Sequence, residues 1–411
     1  MNRAVTIIRK VLALYSKFGL RATIREIGRK IGGPVINKIV GQHDVFKEFD
    51  FTNFSPTPVK PNSASKNTIN WYIPVIGQGS GGHGNMFRLI RALEDLGIES
   101  RIIIVGPNHP KNSEVATEQI KSWFFPLKAK VFIYGEAIPG AFLGMATEWK
   151  TAYYLRSSDK ESDRGYFIQD FEPWFYPRGS HYALAEETYR FGFKAVTAGA
   201  WLSELVSKDY GMKSMHSGFS PDWTIYGKRE IQKPQHVKKV FFYARPPTPR
   251  RDFELGMLAL ERVTRLRPEV EVVFAGWDLS SYKIPFKHQS LGILKEEALP
   301  EVYAQVDAAL VISATNMSLL PVDLMACEVP VVSNRTPGVA WLLNDSNCYL
   351  CDLTVESMAA SVIEALDNEE ETRKRVAQGV KDISTVTWAG EAIKAAAFLG
   401  LKSNQTNSGN N

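Results

Sequence analysis

From Thr68 onward, short apolar runs alternate with amphipathic helical patterns, and a polar, basic stretch at 227–239 interrupts the alternation once. A strand that feeds a helix and then a second strand of the same sheet returns parallel to the first, and the helices must cover the sheet. The first run, 69–76, leads through a glycine loop into a helix carrying Leu89, Ile90, Leu93 and Leu96, then into a strand at 101–105. More strands are expected at 130–134, 166–169 and 195–198, the last entering a helix at 201–210. After the break, strands at 240–244, 270–275, 308–313 and 329–333 alternate with helices at 253–266, 295–304 and 322–327, and helical patterns at 355–366 and 388–399 follow. The pattern predicts an α/β chain of two tandem, Rossmann-like, doubly wound domains, 68–232 and 233–386, then a C-terminal helix at 387–401 and a disordered tail at 402–411. Open sheets of this kind bind ligands outside the carboxyl ends of their strands, so a site is expected in the cleft between the two domains.

The region ahead of these domains has another composition. Between Met1 and Val40, Arg3, Arg9, Lys10, Lys17, Arg21, Arg25, Arg29, Lys30 and Lys38 stand against the single acid Glu26. Val5, Ile8, Val11, Leu12, Tyr15 and Phe18 lie beside them at helical spacing, which predicts a basic amphipathic helical arm. A Pro, Ser and Asn-rich stretch at 50–68 reads as a linker, so 1–67 is arm and linker together. Arg9, Lys10 and Lys17 keep every apolar run below the roughly 18 to 20 residues that span a bilayer, and no cleavable signal is formed. The expectation is a cytoplasmic chain whose residues 1–40 touch the inner face of the membrane, where each Lys or Arg gains about 1 kcal/mol near anionic lipid. The alternative is a helix packed on the first domain.

Over all 411 residues the net charge is only +5, without the dense basic stripe of a nucleic-acid ligand, so no nucleic acid is expected as partner. Cys327, Cys348 and Cys351 fit a reducing compartment, and the CxxC spacing of the last two lacks further ligands to close a metal site. Gly77, Gly79 and Gly82 match GxGxxG between a strand and a helix. A dinucleotide site also needs an acid ending the next strand, and here Val105 runs into Gly106, Pro107 and Asn108. The loop can instead line the cleft with Gly81, Gly82 and His83 at a helix N-terminus, or serve only as a tight turn.

The first strand of the second domain exits into Tyr-Ala-Arg-Pro-Pro-Thr-Pro-Arg-Arg, which places Arg245, Arg250 and Arg251 at the cleft edge. Guanidinium forks there suit a diphosphate, because each can hold two phosphate oxygens at once. A basic surface loop is the alternative. Further on, 315–332 reads Thr-Asn-Met-Ser-Leu-Leu-Pro-Val-Asp-Leu-Met-Ala-Cys-Glu-Val-Pro-Val-Val. This segment resembles the donor-site signature of retaining glycosyltransferases of the GT-B fold, family four, which usually carry glutamates where this chain has Thr315 and Asp323. In that family the second acid binds the nucleotide ribose, a role the resemblance passes to Asp323. Thr315 departs from the first acid, which touches the donor sugar.

The resemblance extends to Arg245 and one of Arg250 or Arg251 as diphosphate ligands, and to Gly276 after the next strand. It also reaches Gly292, Ile293, Leu294 and Lys295 in the segment that reads the base. It implies a donor site completed by Thr315, Asn316, Met317, Ser318 and Asp323. The stretch Tyr166-Phe-Ile-Gln-Asp-Phe-Glu-Pro-Trp-Phe-Tyr176 resembles transferases that assemble bacterial rhamnan glycans. Asp170 and Glu172 could imitate the metal-binding DxD of the other glycosyltransferase fold, but tandem α/β sheets argue against it. They could instead hold acceptor hydroxyls, with Trp174 and Phe175 offering flat faces to sugar rings. Helix capping and core aromatics are the bland alternative.

The resemblance implies front-face, retaining substitution, with Arg245, Arg250 and Asp170 as the catalytic set and neither metal nor cofactor. Thr315 removes a strong acceptor from the sugar pocket while Met317 and Leu319 add apolar surface, which suits a 6-deoxy sugar. The expected donor is dTDP-L-rhamnose and the acceptor a growing, lipid-linked glycan. Two rival classes share the architecture: a nucleotide-sugar epimerase and a non-catalytic glycan-binding protein. No oligomeric state follows from the sequence.

Overall fold

A computed structural model describes residues 44–233 and 236–402. The chain divides into two compact units, 1–53 and 54–411. Of the first, only its end is described: Asp44 Oδ1 accepts the Lys47 N–H at 3.0 Å and caps the single-turn helix Val45–Glu48, and a 3-10 turn, Asp50–Asn53, follows. The basic arm expected at 1–40 lies outside the described residues, as do 403–411 of the expected tail.

The second unit holds two parallel sheets. The first has seven strands: β1 (Thr68–Ile73), β2 (Glu99–Ile104), β3 (Lys130–Ile133), β4 (Ala141–Ala146), β5 (Glu161–Ile168), β6 (Lys194–Ala198) and β7 (Ser214–Ser217). Their order is β3-β2-β1-β4-β5-β6-β7, so the direction of winding reverses between β1 and β4. The second has six, β8 (Lys238–Tyr243), β9 (Val270–Ala275), β10 (His288–Ser290), β11 (Ala308–Val311), β12 (Val331–Asn334) and β13 (Tyr349–Cys351), ordered β10-β9-β8-β11-β12-β13. Every residue of β1 is buried because helices cover both faces of the sheet. β1 stops at Ile73, short of the expected Ile76, since Pro74 has no N–H to give a neighbouring strand.

The helix Gly81–Asp95 lays Met86, Phe87, Leu89, Ile90 and Leu93 into the first core. The last helix, Trp388–Leu399, crosses back from the second sheet and packs Ala392, Ala395, Ala396 and Leu399 into that same core. It therefore belongs physically to the first domain. The expected linker is ordered beyond residue 53: Thr57 N–H bonds to the Arg156 carbonyl at 3.0 Å, and Asn62 Nδ2 donates to the carbonyls of Ala141 (3.0 Å) and Lys160 (2.8 Å). Likewise Leu401 is buried and the Lys402 N–H reaches the Lys66 carbonyl at 3.0 Å, so the start of the expected disordered tail is pinned. The carboxyl ends of β5, β6, β8, β9, β11 and β12 carry the residues considered next.

Candidate active site

β5 ends at Ile168 and runs into Gln169 and Asp170, and β11 runs into a loop from Ser313 to Asn316. These two ends are joined. The Thr315 hydroxyl donates to Asp170 Oδ2 at 2.7 Å, and the Asn316 backbone N–H to Asp170 Oδ1 at 3.1 Å. Asn316 Nδ2 donates to the carbonyls of Gln169 (2.9 Å) and Ala198 (2.8 Å), so one side chain of the second domain closes the ends of two strands of the first. The loop is held from behind: Asn334, ending β12, accepts the Ser313 N–H at 2.7 Å and donates to the Ser313 carbonyl at 2.8 Å. Gly338 lies so close that a Cβ there would stand 2.2 Å from the Thr315 carbonyl oxygen, so only glycine fits.

Arg250 and Arg251 stand around Asp170, and Arg245 lies near Arg251. Arg250 Nε lies 3.3 Å from Asp170 Oδ2, and its guanidinium sits 4.1 Å from the centre of the Phe175 ring. Arg251 donates to Ser313 Oγ at 2.6 Å and to the Asn316 carbonyl at 3.2 Å. Arg245 stands over the Tyr243 ring at 5.9 Å and, among the described residues, forms no ion pair. Burial pushes the Arg251 guanidinium down to about 10, and repulsion from Arg250 adds to it. Burial also raises the Asp170 carboxyl, against the pull of Arg250 and Arg251. Three guanidinium groups stand against the carboxylates of Asp170 and Asp252, which leaves a net positive charge suited to an anion.

The helix Leu320–Ala326 places Asp323 in its first turn, 7% exposed. Among the described residues its buried Oδ1 has no hydrogen-bond partner, and burial raises its pKa well above the usual carboxylate range despite the nearby Arg88. Arg88 comes from the helix Gly81–Asp95 of the first domain and ion-pairs with Glu296 of the second, which also accepts the Tyr226 hydroxyl at 3.2 Å. At the end of β9, Gly276 has φ +102°, and its N–H bonds to the Gly292 carbonyl at 2.7 Å, bringing the 291–295 loop alongside. There Ile293 is 64% exposed, Leu294 is half-buried and Lys295 is exposed. Met317 is buried, its N–H bonded to the Gly338 carbonyl at 2.9 Å, and Ser318 is half-buried.

On the first domain, Gly81 and Gly82 are exposed at a helix start capped by Ser80, and Gln169 Nε2 donates to the Gly82 carbonyl at 2.9 Å. Two expected acceptor residues are placed elsewhere. The His83 imidazole turns inward between Phe87 and Phe124, where burial pushes it down to about 4, because the apolar stripe of the helix passes through position 83. Glu172 is also internal: its Oε2 accepts the Trp149 N–H at 2.6 Å and the Tyr166 hydroxyl at 2.9 Å. The 3-10 turn Glu172–Phe175 rolls that carboxyl into the core and leaves Asp170 at the cleft. Phe175 gives its face to Arg250, whereas Trp174 is 48% exposed.

The family described as "WsaF, C-terminal domain" matches residues 238–363, and "WsaF, N-terminal domain" matches 141–198. Both domains are thus similar to the WsaF family over those residues. An O-antigen biosynthesis protein, RfbC of Myxococcus xanthus, is 31% identical over 342 residues, 81% of this chain and 27% of that protein. The chain thus spans about a quarter of that relative's length. Among solved structures, Anabaena HepE in complex with UDP and glucose superposes with a TM-score of 0.62 at 13% identity, covering 81% of this chain and 99% of that one. Sucrose-phosphate synthase from Thermosynechococcus elongatus gives 0.62 at 12% identity, covering 80% and 97%. Those likenesses establish the two-domain GT-B fold.

Within the WsaF-family matches lie Asp170, the three arginines, Thr315, Asn316 and Asp323. Gln169, Asn334 and Trp341, whose Nε1 donates to Asn316 Oδ1 at 3.1 Å, also hold these residues together but were not expected from sequence. A polar residue closing an apolar strand was the available signal for Gln169 and Asn334. Arg88 and Glu296, one from each domain, carried no signal, since each reads as a surface charge on a helix.

Proposed function

We propose that the chain is a retaining glycosyltransferase that moves L-rhamnose from dTDP-L-rhamnose to a growing, lipid-linked cell-surface glycan. The observation that carries the reading is the set of Arg245, Arg250 and Arg251 that follows the end of β8, with Arg250 ion-paired to Asp170 of the first domain. A nucleoside diphosphate supplies the missing negative charge. Arg245 takes an oxygen of the diphosphate, and Arg250 and Arg251 stabilise the charge that grows on it as the sugar leaves. The acceptor hydroxyl attacks from the face the diphosphate vacates, near Asp170, so catalysis is mostly positioning and charge stabilisation. In this reading the enzyme needs no cofactor or metal beyond its donor.

Asp323 presents its unpartnered oxygen to the nucleotide's sugar, and the 291–295 loop meets the base through its backbone. HepE was solved with UDP-glucose, which supports a nucleotide-sugar donor here. The buried Met317 and the mostly buried Leu319 beside Thr315 favour the methyl group of a 6-deoxy sugar by about 0.8 kcal/mol. The test is a comparison of donors by kcat/KM on one acceptor. dTDP-rhamnose should lead, and equal use of UDP-glucose or GDP-mannose ends the sugar assignment while leaving the reaction class intact.

Among the described residues no helix is long and apolar enough to cross a membrane. We place the enzyme in the cytoplasm, with residues 1–40 drawing it to anionic lipid where its acceptor is anchored. Equal pelleting with anionic vesicles at low salt, with and without residues 1–50, ends that idea.

A further inference from the structure

We infer that Trp174 and Trp201 form a platform for the acceptor glycan, holding a pyranose ring beyond the one that reacts; the inference rests on the transfer reading above. Trp174 is 48% exposed and Trp201 half-buried, with ring centres 5.6 Å apart and planes 33° from parallel. Trp174 is backed by packed rings. Phe171 meets Trp174 edge-on at 5.2 Å and itself stacks on buried Tyr189 at 5.5 Å. Among the described residues neither indole N–H has an acceptor. Two apolar faces edged by free N–H donors match a pyranose, which offers a C–H face and ring-edge hydroxyls together.

Position ties the pair to the transfer site. Trp174 precedes Phe175, whose ring carries the Arg250 guanidinium at 4.1 Å. Trp201 follows Gly199, where a Cβ would stand 2.4 Å from the Trp341 ring, and Trp341 donates to Asn316 Oδ1 at 3.1 Å. The two indoles thus spring from chain segments that grip Arg250 and Asn316, the residues on either side of Asp170. A glycan reacting beside Asp170 meets the indoles with its next rings.

The experiment measures binding without any donor, by tryptophan fluorescence and saturation-transfer NMR, using an α-L-rhamnose trisaccharide and methyl α-L-rhamnoside as probes. Trp174→Ala and Trp201→Ala should each weaken the trisaccharide about tenfold, while Trp201→Phe keeps most of the affinity. The monosaccharide glycoside and free dTDP should bind all variants as they bind the wild type, which a general loss of structure would not allow. Unchanged trisaccharide affinity in both Ala variants, or no trisaccharide binding by the wild type, overturns the platform. If glycan binding depends on both indoles but no nucleotide sugar supports transfer, the platform stands and the transfer reading fails.

Discussion

Asp170 and Thr315, one from each domain, meet in a short contact, the threonine hydroxyl donating to the carboxylate at 2.7 Å. The resemblance puts Thr315 where such transferases carry a glutamate, and here the Asp170 carboxylate reaches it from the other domain. Thr315→Glu therefore sets a second carboxylate against a buried one, and transfer should drop at least about a hundredfold in kcat/KM. Adding Asp170→Ser should restore part of it, because one carboxylate again remains. A double variant as dead as the single one would show that the two positions are not interchangeable.

Among the described residues Arg245 is the one of the three arginines whose guanidinium forms neither an ion pair nor a hydrogen bond, so its loss subtracts from ligand binding with little internal rearrangement. Arg245→Ala should weaken binding of free nucleoside diphosphate at least about tenfold by calorimetry, the scale of one charge-assisted hydrogen bond. Arg245→Lys should fall between, since the ammonium keeps the charge but not the fork. Wild-type affinity in the alanine variant removes Arg245 from the diphosphate site.

Turnover should persist in excess EDTA, because the arginines are assigned the charge that a divalent ion carries elsewhere. Activity lost to chelator and regained with Mg²⁺ or Mn²⁺ would return Asp170 and Glu172 to a metal-binding reading.

Glu148, half-buried, acts on the buried Glu172. Burial pushes Glu148 up to about 7, and burial followed by the charge of Glu148 holds Glu172 well above the usual range. A carboxyl raised on folding contributes stability that is complete below its ordinary value near 4.5 and is lost as pH rises through the folded value. His83, lowered to about 4, has the opposite sign, stabilising above 6.5 and failing as pH falls. Above pH 6.5 the carboxyls act alone, so Tm should fall by roughly 2 to 4 °C between pH 6.5 and 8. Glu148→Gln should flatten that slope. A Tm that climbs over this range contradicts the upward shift of the two carboxyls.

Chain order and layer architecture were legible before folding, because strands covered on both faces must be apolar along their length. Val270–Ala275, Phe253–Leu266 and Trp388–Leu399 fell where their patterns put them. The elements that escaped have little buried surface to announce them. β10 is His-Gln-Ser at a sheet edge and exposed throughout, and Glu369–Ile383 buries only Gly379 and Ile383. The arginines were visible for a similar local reason, standing where a strand end meets a helix start. The pairing of Asp170 with Thr315 and Asn316 was not, since those partners lie 145 and 146 residues away in the chain. Nor could composition rank Asp170 above Glu172, two positions along. One turn of 3-10 helix sends Glu172 into the core, where backbone and tyrosine donors satisfy it, and leaves Asp170 facing the second sheet. Local pattern reports which residues must leave water, whereas the partner of each buried charge is settled only when distant segments compete to satisfy it.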